Sequence, residues 1–340
     1  MRAAFTDVVG NRSLCERLCR ELSKERLSHA LIIEGKKGTG KHMIALRIAA
    51  AIACEHRRDE ASPLPCMHCT ACKKILSGNS PDVTFVNRGD RATLGVDPIR
   101  AIREDVRIAP NELPIKLYII EDAHLMTPNA QNAFLLTLEE PPAYVHFLLL
   151  CESAATLLET VRSRAPTLRT EPLSAKELEQ YLLDRVPEAK RLDGAALREI
   201  IAAADGSIGR AVTLLDPTLY KPLLERRSTA RRFAQLCSAR ASAADVLSYL
   251  GTLPKKREEL TELFCELLYC LRDLLLCKQT ENAPLCFFSD REEACALAYG
   301  FTTPALLCLC ESVQTATDRL RMNANVRLTQ IALAKDCGLL

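Results

Sequence analysis

The sequence predicts an α/β fold, a parallel sheet flanked by helices, followed by a region of helices alone. Three observations predict it. Short apolar runs at residues 29–33, 84–86, 116–122 and 146–151 alternate with helical spacings, as parallel strands joined by crossover helices do. A glycine-rich loop at 34–42 lies between the first run and a helical stretch over 41–53. From about Pro172 the strand pattern does not return.

The elements follow in order. Helix signals cover residues 11–25, and the strand at 29–33 runs into the glycine loop. Apolar spacing makes 41–53 a helix. Pro81-Asp82 precedes the strand at 84–86, and the strand at 116–122 ends in Glu121-Asp122. A helix over 129–139 stops at Pro141-Pro142 before the strand at 146–151, so ligands belong at the carboxyl ends of the strands. Helices are expected at 175–183, 195–204 and 210–215, with Asp205-Gly206-Ser207 as punctuation. Beyond Arg226 a further helical block contains Leu260, Leu263, Phe264, Leu267, Leu268, Leu271 and Leu275 at three- and four-residue steps. That stripe suits burial within its own domain or an oligomeric face. Arg226-Arg227 and Arg231-Arg232 read as a solvated helix face more readily than as a DNA contact.

Composition limits the functions available. The chain has 340 residues, enough for two or three domains, and a formal charge of +2, so no strong field draws it to nucleic acid or membrane. A zinc-dependent DNA-binding protein is disfavoured by that charge, by the absence of Trp and by 5% aromatic residues. The amino terminus lacks the apolar run of a signal peptide, and residues 263–277 are interrupted by Glu266, Arg272 and Asp273. A cytoplasmic protein without membrane contact is expected, its 16 cysteines reduced.

Two motifs carry chemistry. Gly35, Gly38, Thr39, Gly40 and Lys41 form a phosphate-binding loop in its strand–loop–helix setting: backbone N–H groups face the phosphates and Lys41 neutralises them. The residue after the lysine normally supplies a hydroxyl to Mg²⁺, but here it is His42, a poor ligand for a hard cation. Binding of ATP and Mg²⁺ is therefore open, and hydrolysis is disfavoured. The second motif is Cys66, Cys69 and Cys72, preceded by Cys54 across a polar loop. Four thiolates so spaced suit a closed tetrahedral Zn²⁺ site, a structural clip with no position for water. His68 is the substitute ligand should Cys54 point away, and the scattered remaining cysteines suit core packing.

Phe5-Thr6-Asp7-Val8-Val9-Gly10, His29-Ala30, the cysteine insertion, Leu138-Glu139-Glu140-Pro141-Pro142 and Ser163-Arg164 together resemble bacterial DNA polymerase III clamp-loader AAA+ subunits over about the first 215 residues. The resemblance implies an AAA+ nucleotide-binding-like domain over residues 1–170 with the zinc module at 54–72. It further implies a three-helix lid over 171–225 and a helical collar over 226–340 through which a hetero-pentamer assembles. Asn323-Ala324-Asn325-Val326 resembles the last collar helix.

Within that family the motor subunits, gamma/tau, carry Thr or Ser after the lysine, Asp-Glu after the third strand, Thr after the fourth and an arginine in the lid. This chain has His42, Glu121-Asp122, Cys151-Glu152 and Gly209 at those places. It retains Arg164, which in the family reaches a neighbour's γ-phosphate as an arginine finger, although Ala165 replaces the family's cysteine. Gly206-Ser207-Ile208-Gly209-Arg210-Ala211 is more similar to delta-prime, the stator. The resemblance thus implies a non-hydrolysing subunit with gamma/tau and delta as partners, acting on the sliding clamp and primed DNA through the assembly. The implied nucleotide-binding set is Gly35, Gly38, Thr39, Gly40, Lys41, His42, Glu121, Asp122 and Arg210. The alternative is an active gamma/tau-like ATPase in which Lys41 binds phosphates, Glu121 holds metal and Asp122 positions water.

Overall fold

A computed structural model of the chain describes residues 4–24, 26–59, 61–239, 241–280, 283–322 and 324–337. Residues 1–3 of the amino terminus and Asn323 of the collar-like motif lie outside the described residues. The chain divides into two units, Met1–Tyr181 with Gly206–Arg210, and Leu182–Asp205 with Ala211–Leu340.

The first unit is built on a five-stranded parallel sheet ordered β2-β3-β4-β1-β5. Its strands are β1 (Ala30–Glu34), β2 (Val83–Val86), β3 (Lys116–Ile120), β4 (Val145–Cys151) and β5 (Thr167–Arg169). Its helices are α1 (Arg12–Ser23), α2 (Lys41–Ala53), α3 (Thr70–Leu76), α4 (Val96–Asp105), α5 (Pro128–Glu139) and α6 (Glu159–Arg162). Because successive side chains on a strand point to opposite faces, each central strand feeds two cores. Leu31, Ile33, Leu117, Ile119, Leu148 and Leu150 pack with Leu14, Leu18, Leu22, Ile44 and Ile48 on one face. Ala30, Ile32, Tyr118, Ile120, Phe147 and Leu149 pack with Ile99, Ile102, Phe134 and Leu138 on the other. That is the physical reason the strands read as unbroken apolar runs.

Two local findings differ from the sequence expectations and a third adds to them. A fifth strand, β5, is present; three residues are too few to show a period, but it closes the sheet beside the phosphate loop, where Thr170 N–H donates to the Glu34 carbonyl at 2.8 Å. Glu121 and Asp122 fall outside β3, and Asp122 has a left-handed φ of 48° as the chain turns away from the sheet. The segment 82–113 is anchored by Asp82, whose carboxylate accepts N–H bonds from Asn111, Glu112 and Leu113 at 2.6, 2.7 and 2.8 Å. Burial alone would raise its pKa, but these donors and Lys116 outweigh it and hold the carboxyl below the usual range.

Helices alone follow: α7 (Ala175–Arg185), α8 (Gly194–Ala204), α9 (Ile208–Leu214), α10 (Pro217–Ala239), α11 (Ala243–Thr252), α12 (Arg257–Gln279), α13 (Arg291–Tyr299), α14 (Thr303–Arg321) and α15 (Val326–Asp336). The α10 helix runs without interruption through the boundary expected at 225/226. In the second unit the leucine stripe of α12 is buried against its own neighbours, including Phe233 of α10 and Leu309, Val313 and Leu320 of α14. Its use is internal packing.

Three of the four arginines pair with acids, while Arg232 is exposed as a solvated helix face predicts. Arg227 is buried, with Nε 3.0 Å from Glu266 and its other nitrogens donating to the Phe287 and Cys286 carbonyls at 3.1 and 2.7 Å. Arg226 pairs with Glu262 and Arg231 with Glu293. Sequence charge runs carry no information on which member of a pair faces the core. Among the described residues no single helix is long and apolar enough to cross a membrane.

Candidate functional site

The phosphate loop lies where the topology predicts, between β1 and α2, at the carboxyl end of the sheet. Gly35 approaches Thr170 so closely that a Cβ would lie 1.8 Å from its hydroxyl oxygen, which only glycine permits. Thr39 is buried, its hydroxyl donating to the Lys36 carbonyl at 2.8 Å and lying 2.8 Å from the Thr170 hydroxyl. Lys41 is folded back onto the loop. Its Nζ donates to the Gly35 and Lys36 carbonyls at 2.6 and 2.9 Å. Desolvation lowers its pKa against the opposing pull of Glu152, Cys151 and Asp122.

Residues 206–210 rest on this loop. Gly209 N–H donates to the Gly38 carbonyl at 3.1 Å, and the Ser207 hydroxyl donates to the Lys37 carbonyl at 3.3 Å. Gly38 has φ +80°, and a Cβ there would sit 2.2 Å from Ser207 Oγ, so the contact requires glycine on two grounds. Ser207 Oγ also accepts from Arg210 N–H at 3.1 Å, opening α9 two residues earlier than the sequence spacing indicates. Arg210 is therefore inside the first turn of α9.

Where a metal-binding hydroxyl would stand, His42 stacks on Phe85 with ring centroids 5.2 Å apart and places Nε2 3.4 Å from Glu121 Oε1. Asp122 lies 3.7 Å from Arg88 Nε. These acids thus face His42 and Arg88, and with an imidazole in place of the hydroxyl the donor set does not fit Mg²⁺. Phe85, Arg88, Thr170 and Ser207 shape the site; no spacing rule marks the first three in the sequence, whereas Ser207 sits in the Gly-Ser-x-Gly-Arg motif.

Arg164 lies elsewhere on the first unit, after α6. Its Nη2 pairs with Glu139 Oε1 at 2.8 Å and its Nη1 donates to the Thr160 carbonyl at 2.9 Å, with 37% of the side chain exposed. Two motifs far apart in sequence, Leu138-Glu139-Glu140 and Ser163-Arg164, thus meet as one surface feature.

The four cysteines converge. Cys54, Cys66, Cys69 and Cys72 are buried and their sulfurs all lie within 4.8 Å of one another. Cys66 and Cys72 Sγ are 3.9 Å apart; a tetrahedron with Zn–S near 2.3 Å places sulfurs about 3.8 Å apart. Cys69 and Cys72 N–H groups donate to the sulfurs of Cys66 and Cys69 at 3.3 and 3.4 Å. Burial acts to raise the Cys66 pKa, but these and neighbouring donors lower it to about 6, whereas burial raises Cys72. The group could hold zinc, with Cys54 at the end of α2 supplying the fourth sulfur. The set belongs to the same core as α2 and β3, so the ion would tie the insertion to the sheet.

The family model described as "DNA polymerase III, delta subunit" matches residues 10–174. DNA polymerase III subunit tau of Bacillus subtilis (strain 168) is 30% identical over 288 residues, covering 81% of this chain and 50% of that protein. DNA polymerase III subunit delta' of the same organism is 40% identical over 168 residues, 49% of this chain and 50% of that protein. The chain thus spans half the length of these two relatives. A solved gamma-subunit-related protein of DNA polymerase III from Thermotoga maritima has 18% identity and a TM-score of 0.44, covering 95% of this chain and 98% of that one. Residues 10–174 are thus similar to the DNA polymerase III delta-subunit family, and the chain is similar to the tau and delta' subunits of a bacterial DNA polymerase III.

Proposed function

We propose that this chain is a clamp-loader subunit of a bacterial DNA polymerase III, of the delta-prime type: a stator that does not hydrolyse ATP and donates Arg164 to a neighbouring motor subunit. The observation that carries the reading is the state of the phosphate loop. Where a hydroxyl for Mg²⁺ would stand, His42 stacks on Phe85 and faces Glu121, while residues 206–210 bond to Lys37 and Gly38. Arg164 by contrast stays at the surface, held by an ion pair that costs little to break because exposed pairs contribute about 0–1 kcal/mol. The guanidinium can leave Glu139 and meet the γ-phosphate bound next door, where it would offset charge developing in the transition state.

In this reading the partners are gamma/tau and delta in a hetero-pentamer, with the sliding clamp and primed DNA met through the assembly, in the cytoplasm. Residues 1–170, 171–225 and 226–340 serve as AAA+ domain, lid and collar. Zn²⁺ in the four-cysteine site is a structural clip.

A second reading is an active gamma/tau-like ATPase, favoured by the extent of the tau match. One experiment separates them: ATP turnover by the purified chain and by a loader reconstituted with gamma/tau and delta, each with wild-type, Lys41→Ala and Arg164→Ala. The stator reading expects no turnover by the chain alone and slower turnover of the complex with Arg164→Ala only. Turnover by the chain alone that Lys41→Ala abolishes identifies a motor instead.

A further inference from the structure

We propose that His56 and His68, with Cys66 as a bridging thiolate, form a second cation site of zinc-binding character against the four-cysteine site. One ligand atom from each of these three residues lies within 4.8 Å of the others. The two imidazoles face each other, with centroids 5.3 Å apart and planes inclined by 30°. His68 Nδ1 lies 2.7 Å from the Cys66 carbonyl, which can only accept, so Nδ1–H donates and Nε2 is the ring nitrogen left for a metal. Zinc-bound histidines commonly hold a backbone carbonyl through their other nitrogen in this way.

Charge gives a reason for a second ion. The proposal rests on reading the four thiolates as a Zn²⁺ site, and four thiolates around one divalent cation leave a net charge of about −2 in a buried place. The Cys66 sulfur belongs both to the cysteine group and to the group with the two histidines. A second divalent cation on neutral imidazoles removes that excess without displacing any ligand of the first. Cys66 is buried, His56 half-buried and His68 exposed, so the second site opens to solvent and keeps a position for water. Three protein ligands with one open position bind more weakly than a closed site, so the second ion should load last and leave first.

The test is zinc stoichiometry of the full chain after equilibration with micromolar zinc sulfate, comparing wild type with His56→Ala/His68→Ala. Far-UV circular dichroism checks that both fold, and the second equivalent is also titrated as Co²⁺ and followed by its visible absorption. The expected result is about two zinc ions per wild-type chain and about one in the double variant, which also lacks the second Co²⁺ band. One ion in both chains overturns the inference while the four-cysteine reading stands. No retained zinc in either chain overturns both. A second equivalent that survives in the double variant places it elsewhere and overturns the inference.

Discussion

Gly209 donates its backbone N–H to the carbonyl of Gly38 at 3.1 Å, so the position expected to supply a lid arginine instead meets the phosphate loop through its backbone. A backbone pair this close is possible because both residues are glycine; a Cβ on Gly209 would lie 3.1 Å from Gly38 Cα. The expected consequence is weak or absent nucleotide binding. Ligand that stays below its Kd stabilises a protein by less than about 0.4 kcal/mol. Thermal unfolding with and without about 1 mM MgATP, the upper end of ordinary enzyme substrate levels, should therefore give coincident midpoints for wild type and for Lys41→Ala. A midpoint raised by ATP in the wild type alone would show that the loop opens.

Arg164→Ala should leave the isolated chain within about 1 kcal/mol of wild type, because its pair with Glu139 is exposed. In the reconstituted complex the same change should slow hydrolysis at the served site by on the order of 10³-fold. Glu139→Ala, which frees the guanidinium, should preserve turnover. Urea unfolding and steady-state ATPase assays give the two readouts.

Asp82→Asn should destabilise the chain by about 3 kcal/mol, since an amide oxygen replaces a carboxylate accepting three N–H bonds. The pH sign follows from the lowered folded pKa: the stabilisation is present above the ordinary carboxylate pKa and is lost as pH falls through the folded value. Wild type and variant should converge in stability at acid pH, and diverge towards neutrality, in denaturant titrations.

Arg227→Ala should cost about 3–5 kcal/mol, because it leaves Glu266 charged and buried without its partner. Arg227→Met with Glu266→Leu should recover most of that loss, because an apolar pair of similar volume can replace a buried ion pair at little cost. A double-mutant cycle by denaturant unfolding measures the coupling. An equal loss in both variants would mean that the Cys286 and Phe287 carbonyls, not the ion pair, carry the effect.

Removal of zinc by a strong chelator, or Cys72→Ser, should loosen the segment around 54–72, because the four sulfurs link the end of α2 to α3 and share the core of the sheet. Hydrogen exchange should rise there and in α2, while α12 and α14 stay protected.

Sequence patterning was most informative where burial is strongest. The strands β1, β3 and β4 and helix α2 were legible within a residue or two because residues covered on both sides must be apolar throughout. The strand β5 was not, since three residues have no period. The four-cysteine set was legible because thiolates at two-residue spacing have few other uses, but its neighbours His56 and His68 were not paired, as they meet only through the fold of the loop.

The sequence by itself determined the kind of fold, the place of the phosphate loop, the loss of its hydroxyl at His42 and the four-cysteine set, because each depends on local spacing or on one residue's chemistry. Only the tertiary structure decided that residues 206–210 rest on Gly38, that Glu139 holds Arg164, and that Arg227 is a buried strut rather than a solvated charge. Those facts join segments far apart in the chain, and no periodicity encodes which side chain meets which across a packed core.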